Sequence, residues 1–142
     1  MSFSRNFQYI AIGTLVYFNI VIIYGQQDML SIFNRCKDES NATNDDIETF
    51  KNQQIPTTST GKCLLSCMFH DSGLMSDDQY DIKGAHLLAS KVYQNDPVKM
   101  AKAKQVNEAC AKELKSFDGD KCEIAAFVAN CTMRASAKFG LV

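Results

Sequence analysis

The stretch KCLLSCMFHDSGLM, from Lys62 to Met75, decides the fold. Cys63 and Cys67 stand four positions apart in it, with leucine, methionine and phenylalanine close around them, so it reads as one apolar helix stopping at Gly73. At that spacing two Cβ atoms lie about 5 to 6 Å apart, too far for an unstrained bridge. Each cysteine therefore pairs outside the segment.

Four more cysteines, Cys36, Cys110, Cys122 and Cys131, complete a ladder with gaps of 26, 3, 42, 11 and 8 residues. An even set in a short exported chain is a disulfide framework. Cys122 and Cys131 are nine residues apart on one helix, about 13 Å along its axis and on opposite sides, and do not bridge each other either. Excluding both pairs leaves ten of fifteen connectivities open, and geometry goes no further.

Export is expected from residues 1–25. Arg5 supplies the positive start and Tyr9 to Tyr24 is uncharged and apolar, about 16 residues and too short for a span. Cleavage near Gly25 leaves residues 26–142 as one domain. Arg5 is the only charge removed, which takes the formal net charge from −1 to −2. No basic stripe suits nucleic acid, and nothing further along suits stable membrane insertion.

Helical periodicity runs through the remainder, and strand alternation is missing. Six helices are expected: about Asp28 to Lys37, about Asn44 to Gln53 ahead of Pro56, one starting near Gly61, one behind Asp81, one with Asp96 as N-cap and Pro97 at the first position, and one opening on Asp120 and Glu123 in capping-box spacing. The last is apolar nearly all round from Cys122 to Cys131, which places it in the middle of the bundle.

With the ladder C-x26-C-x3-C-x42-C-x11-C-x8-C, the segments DDIETFKNQQIP (Asp45 to Pro56), KCLLSCMFHDSGLM and DKCEIAAFVANC (Asp120 to Cys131), the chain resembles the insect odorant-binding and pheromone-binding proteins of six-cysteine type. The resemblance implies an all-α, six-helix disulfide-linked bundle enclosing a hydrophobic cavity. It also implies an interlocked pairing, Cys36 with Cys67, Cys63 with Cys122 and Cys110 with Cys131. Three such crosslinks let a helix cage keep a hollow interior that an unstapled domain of this size must fill.

Candidate cavity walls follow from the helix faces together with that resemblance. Leu65 and Phe69 point away from the cysteine side of their helix, and Met29 and Phe33 do so on the first. Leu74, Met75, Leu88, Val106 and Val128 join them, with Phe139 from a C-terminal tail folded back as a lid. Relatives that release ligand in acid make His70 the candidate pH switch.

The run CMFHD, Cys67 to Asp71, echoes the C-x-x-H-D of secreted phospholipases. The glycine-rich calcium loop their chemistry needs does not precede it, so no catalytic residue, metal or cofactor is expected. Of two glycosylation sequons, Asn41-Ala42-Thr43 in a loop is favoured over Asn130-Cys131-Thr132 inside a helix.

The expectation is a secreted, extracellular carrier of small hydrophobic ligands, odorants or pheromones, moving them through sensillar lymph to olfactory receptors. It would work as a monomer or weak homodimer. The alternative is a salivary, haemolymph or defence scavenger built on the same cage.

Overall fold

The computed structural model describes residues 28–142; the expected signal peptide, residues 1–25, lies outside them. Six helices are present among the described residues. Helix α1 covers residues 28–40, followed by α2 (Asn44–Lys51), α3 (Ser59–Asp71), α4 (Ile82–Tyr93), α5 (Pro97–Leu114) and α6 (Lys121–Lys138). The packed body runs from Cys36 to Val142.

Each helix from α2 onward begins on a side chain that accepts otherwise orphaned backbone N–H groups. Thr43 and Asp46 form a reciprocal capping box on α2. Thr58 caps α3, which starts at Ser59, two residues before Gly61, and its hydroxyl accepts from Gly61 N. Asp81 caps α4, Asp96 with Pro97 opens α5, and Asp120 accepts from Cys122 N and Glu123 N. The box expected at Asp120 is only half made, since the Glu123 carboxylate reaches Lys62 Nζ at 2.9 Å.

Strands are not wholly missing. Met75–Ser76 (β1) and Gln79–Tyr80 (β2) pair antiparallel, Met75 opposite Tyr80. Asp77 and Asp78 between them have φ of 50° and 59°, the two left-handed positions of a type I′ hairpin. Two residues per strand are too few for alternation to show in the sequence.

Helix α6 lies between α3 and α5, and α4 packs on α5. It buries Ala125, Ala126, Ala129 and Ala135 beside Ile124, Val128 and Cys131, and the small residues allow close approach of its neighbours. The disulfides tie α1 to α3 through Cys36–Cys67, α3 to α6 through Cys63–Cys122, and α5 to α6 through Cys110–Cys131. First joins third, second joins fifth and fourth joins sixth.

The 52–58 connection is held by a buried carboxylate. Asp46 accepts from Thr58 Oγ1, from Thr60 Oγ1 at 2.5 Å and from Thr43 N at 2.9 Å. Burial by itself would raise its pKa, but these hydrogen bonds outweigh it and hold the group down at about 2.

Candidate ligand-binding site

Two apolar clusters meet along α6. In one, Leu65, Met75 and Val128 are buried with Ile124, Ala125 and Ala129, and Phe69 and Leu74 pack against them. In the other, Val106 is buried with Cys110, Cys131 and Ala135, and Phe139 and Leu141 lie against it. Seven of the ten candidate wall residues thus sit in or on these clusters. Leu88 is half-buried on α4 and belongs to neither. Met29 and Phe33 are on α1; Met29 is 53% exposed and Phe33 half-buried.

The C-terminal end is tied down. Lys102 Nζ donates to the Gly140 carbonyl at 2.8 Å, and Gly140 supplies the positive φ of 67° that lets Leu141 N return to Ser136 O.

One polar pair adjoins the first cluster. Tyr80, packed against it, donates its hydroxyl to Asn107 Oδ1 at 3.1 Å, and burial raises the phenol to about 12. Nothing in the local sequence marks this pair, because its members are 27 residues apart on β2 and α5.

A cavity of about 420 Å³ lies elsewhere, between the 55–57 segment, α6 and the turn before it. Ile55, Pro56, Ala126, Phe117 and Phe127 form its apolar side, and Lys62, Glu123, Asn130 and Arg134 its polar rim. None of the ten expected wall residues lines it. Phe117 and Phe127 stack with ring centres 4.5 Å apart. The signal for this groove was a spacing: Glu123, Phe127, Asn130 and Arg134 recur at four, three and four residues on one α6 face. The apolar reading of that helix hides it.

His70 is exposed, its Nδ1 3.9 Å from Asp71 Oδ1. Cys36, Cys67 and Asp71 bring three metal-capable atoms together, but both sulfurs are consumed in their bridge and cannot act as thiolates. Asn41 is exposed with φ of 54° after α1, whereas Asn130 sits inside α6 beside bridged Cys131, with Thr132 bonded to Val128 O.

A helical body crossed by three interlocked bridges defines a class of small disulfide-braced binding proteins. The chain belongs to the PBP/GOBP family, whose model matches residues 25–135. It is 29% identical over 108 residues to general odorant-binding protein 28a of Drosophila melanogaster, covering 75% of this chain and 74% of that protein. The solved structure of Drosophila odorant-binding protein OBP28a superposes with a TM-score of 0.69 at 25% identity, over 84% of this chain and 98% of that one. A pheromone-binding protein from the cockroach Leucophaea maderae, solved with the fluorescent reporter ANS, gives 0.62 at 26% identity over 75% and 90% of the two chains. The fatty acid binding protein OBP56a of the blowfly Phormia regina shares the fold, with a TM-score of 0.62 at 15% identity over 81% and 94%. Among the described residues no helix is long and apolar enough to cross a membrane.

Proposed function

We propose that this protein is a secreted carrier of small hydrophobic molecules, odorants or pheromones, released by cleavage near Gly25 and delivering its ligand through sensillar lymph to olfactory receptors. The observation that carries the reading is the bracing of α3, α5 and α6 by the Cys63–Cys122 and Cys110–Cys131 bridges around clusters of adaptable apolar side chains. It is supported by a family match that spans most of the chain. Non-covalent binding needs no cofactor.

The ligand lodges between the two clusters, against Leu65, Phe69, Leu74, Met75, Val106 and Val128, with Leu88 and Phe139 at the margins. Tyr80 and Asn107 offer a hydrogen-bonding point beside the first of them. A ligand of about 15 heavy atoms hides roughly 400 Å², worth about 10 kcal/mol at 25 cal/mol per Å². Association costs on the order of 4 kcal/mol, which leaves about −6 kcal/mol, tens of micromolar, and a hydrogen bond moves this to low micromolar. The exposed Asn41 sequon carries an N-glycan in this reading.

Displacement of a fluorescent apolar probe from the oxidised protein by a panel of volatiles tests the carrier. Low-micromolar displacement is expected, and its absence across the panel removes the reading. Expression in antennal lymph is expected; confinement to salivary gland or haemolymph would turn the assignment to the scavenger.

A further inference from the structure

The turn between α5 and α6 holds a dipeptide with chemistry of its own. Of the seven glycines in the chain, only Gly119 follows an aspartate or asparagine, and that residue is Asp118. Both are exposed. The chain is fixed on either side, by Phe117 N donating to Leu114 O at 3.0 Å and by Asp120 accepting from Cys122 N and Glu123 N at 2.9 and 3.0 Å. Between these anchors, among the described residues, neither the Asp118 carboxylate nor Gly119 N has a hydrogen-bond or ionic partner.

An aspartate carboxyl and the next amide nitrogen close a five-membered ring when nothing shields or ties that nitrogen, and glycine shields it least. Packing imposes the glycine here. A Cβ at 119 would stand 2.8 Å from Phe117 Cε1 and 2.9 Å from Glu123 Cβ, so a side chain there would press on the ring that stacks with Phe127. Two comparable dipeptides are tied down instead. Ser72 N, after Asp71, donates to Met68 O at 3.0 Å, and Asp96 N, after Asn95, donates to Tyr93 O at 3.0 Å.

We propose that Asp118 is a site of spontaneous isoaspartate formation. Gly119 N attacks Asp118 Cγ, and the new C–N bond forms as the carboxyl hydroxyl leaves with the amide proton as water, giving a succinimide. Water then adds to the main-chain carbonyl carbon of Asp118 and breaks its bond to Gly119 N, so the chain now runs through Cβ and Cγ. One water is lost and one regained, with no oxidant or cofactor. The product carries one more main-chain carbon, about 1.5 Å of added path, between Phe117 and the cap of α6 and inside the loop closed by Cys110–Cys131. Phe117 lines the outer groove and stacks on Phe127 at 4.5 Å, so the groove wall and the helix cap shift together as the protein ages.

The oxidised protein, held warm for weeks at neutral pH and then reduced and digested with trypsin, tests this. The peptide from Ser116 to Lys121 should split into two chromatographic peaks of equal mass, the newly formed one accepting a methyl group from an isoaspartyl methyltransferase. Isoaspartate at Asp71 or Asn95 should form roughly tenfold more slowly, because a hydrogen bond must open there first. Asp118→Glu, which would have to close a less favourable six-membered ring, should keep a single peak. Amide shifts of Phe117, Asp120 and Phe127 should change on ageing in the wild type and stay fixed in Asp118→Glu. A single peak from the aged wild-type protein overturns the proposal, and so does a second peak that persists in Asp118→Glu or methylation that appears first at Asp71 or Asn95.

Discussion

A Cβ placed on Gly84 would stand 1.6 Å from the carbonyl oxygen of Gly73. The start of α4 is pressed onto the backbone that ends α3, so the hairpin between them closes only if residue 84 has no side chain. Gly73 is needed for a different reason: its φ is +80°, and nothing lies within 4 Å of the Cβ it lacks.

The two glycines therefore respond differently to alanine. Gly84→Ala should destabilise by about 3 kcal/mol, because backbone must move to relieve the overlap. Gly73→Ala should lose about 1 kcal/mol, the left-handed strain alone. Chemical denaturation of both variants checks the order, and equal losses would contradict it.

Asp46 should give the protein a specific acid sensitivity. Its carboxyl is held at about 2, below the ordinary 3.8, so its contribution is complete above pH 3.8 and is lost as pH falls through 2. Asp46→Asn should remove about 2 kcal/mol at neutral pH, since an amide cannot accept from all the donors that converge there. In that variant the acid loss between pH 4 and 2 should shrink. An unchanged acid profile would show that other carboxyls carry it.

Alkali acts through Tyr80. Its phenol is raised to about 12 from 10, so stability is whole below pH 10 and falls as pH rises toward 12, when the unfolded chain ionises first. Tyr80→Phe should flatten that fall and lose about 1 kcal/mol at neutral pH through the hydrogen bond to Asn107. Stability followed from pH 9 to 12 separates the two effects.

Among the bridges, Cys63–Cys122 spans 59 residues and Cys110–Cys131 spans 21. Chain entropy predicts that replacing the first pair by alanine loses about 1 kcal/mol more than replacing the second. The pairwise variants, each with its other two bridges intact, give the comparison directly. A larger loss at Cys110–Cys131 would point to packing within the second cluster as the dominant effect of that bridge.

Helix positions were legible because their causes are local. Asp81, Asp96 with Pro97, and Asp120 act on N–H groups two or three residues away, so the residues themselves announce the starts of α4, α5 and α6. Thr58 carries the same signal for α3 but is hidden in PTTST, where several hydroxyls compete for one cap. The hairpin at Met75 to Tyr80 escaped because a two-residue strand has no period to detect.

From the order of residues alone came the helical class, the even cysteine ladder and the capping sites, all set by interactions within a turn or by oxidation chemistry. Folding in three dimensions decided the rest. Ile55, Lys62, Phe117 and Arg134 are spread over 80 positions, and only the packing of α3 and the α5–α6 turn against α6 makes them one surface. Apolar side chains carry no label for core, cavity or groove: burial follows from which neighbours arrive, and those neighbours are chosen by the whole bundle.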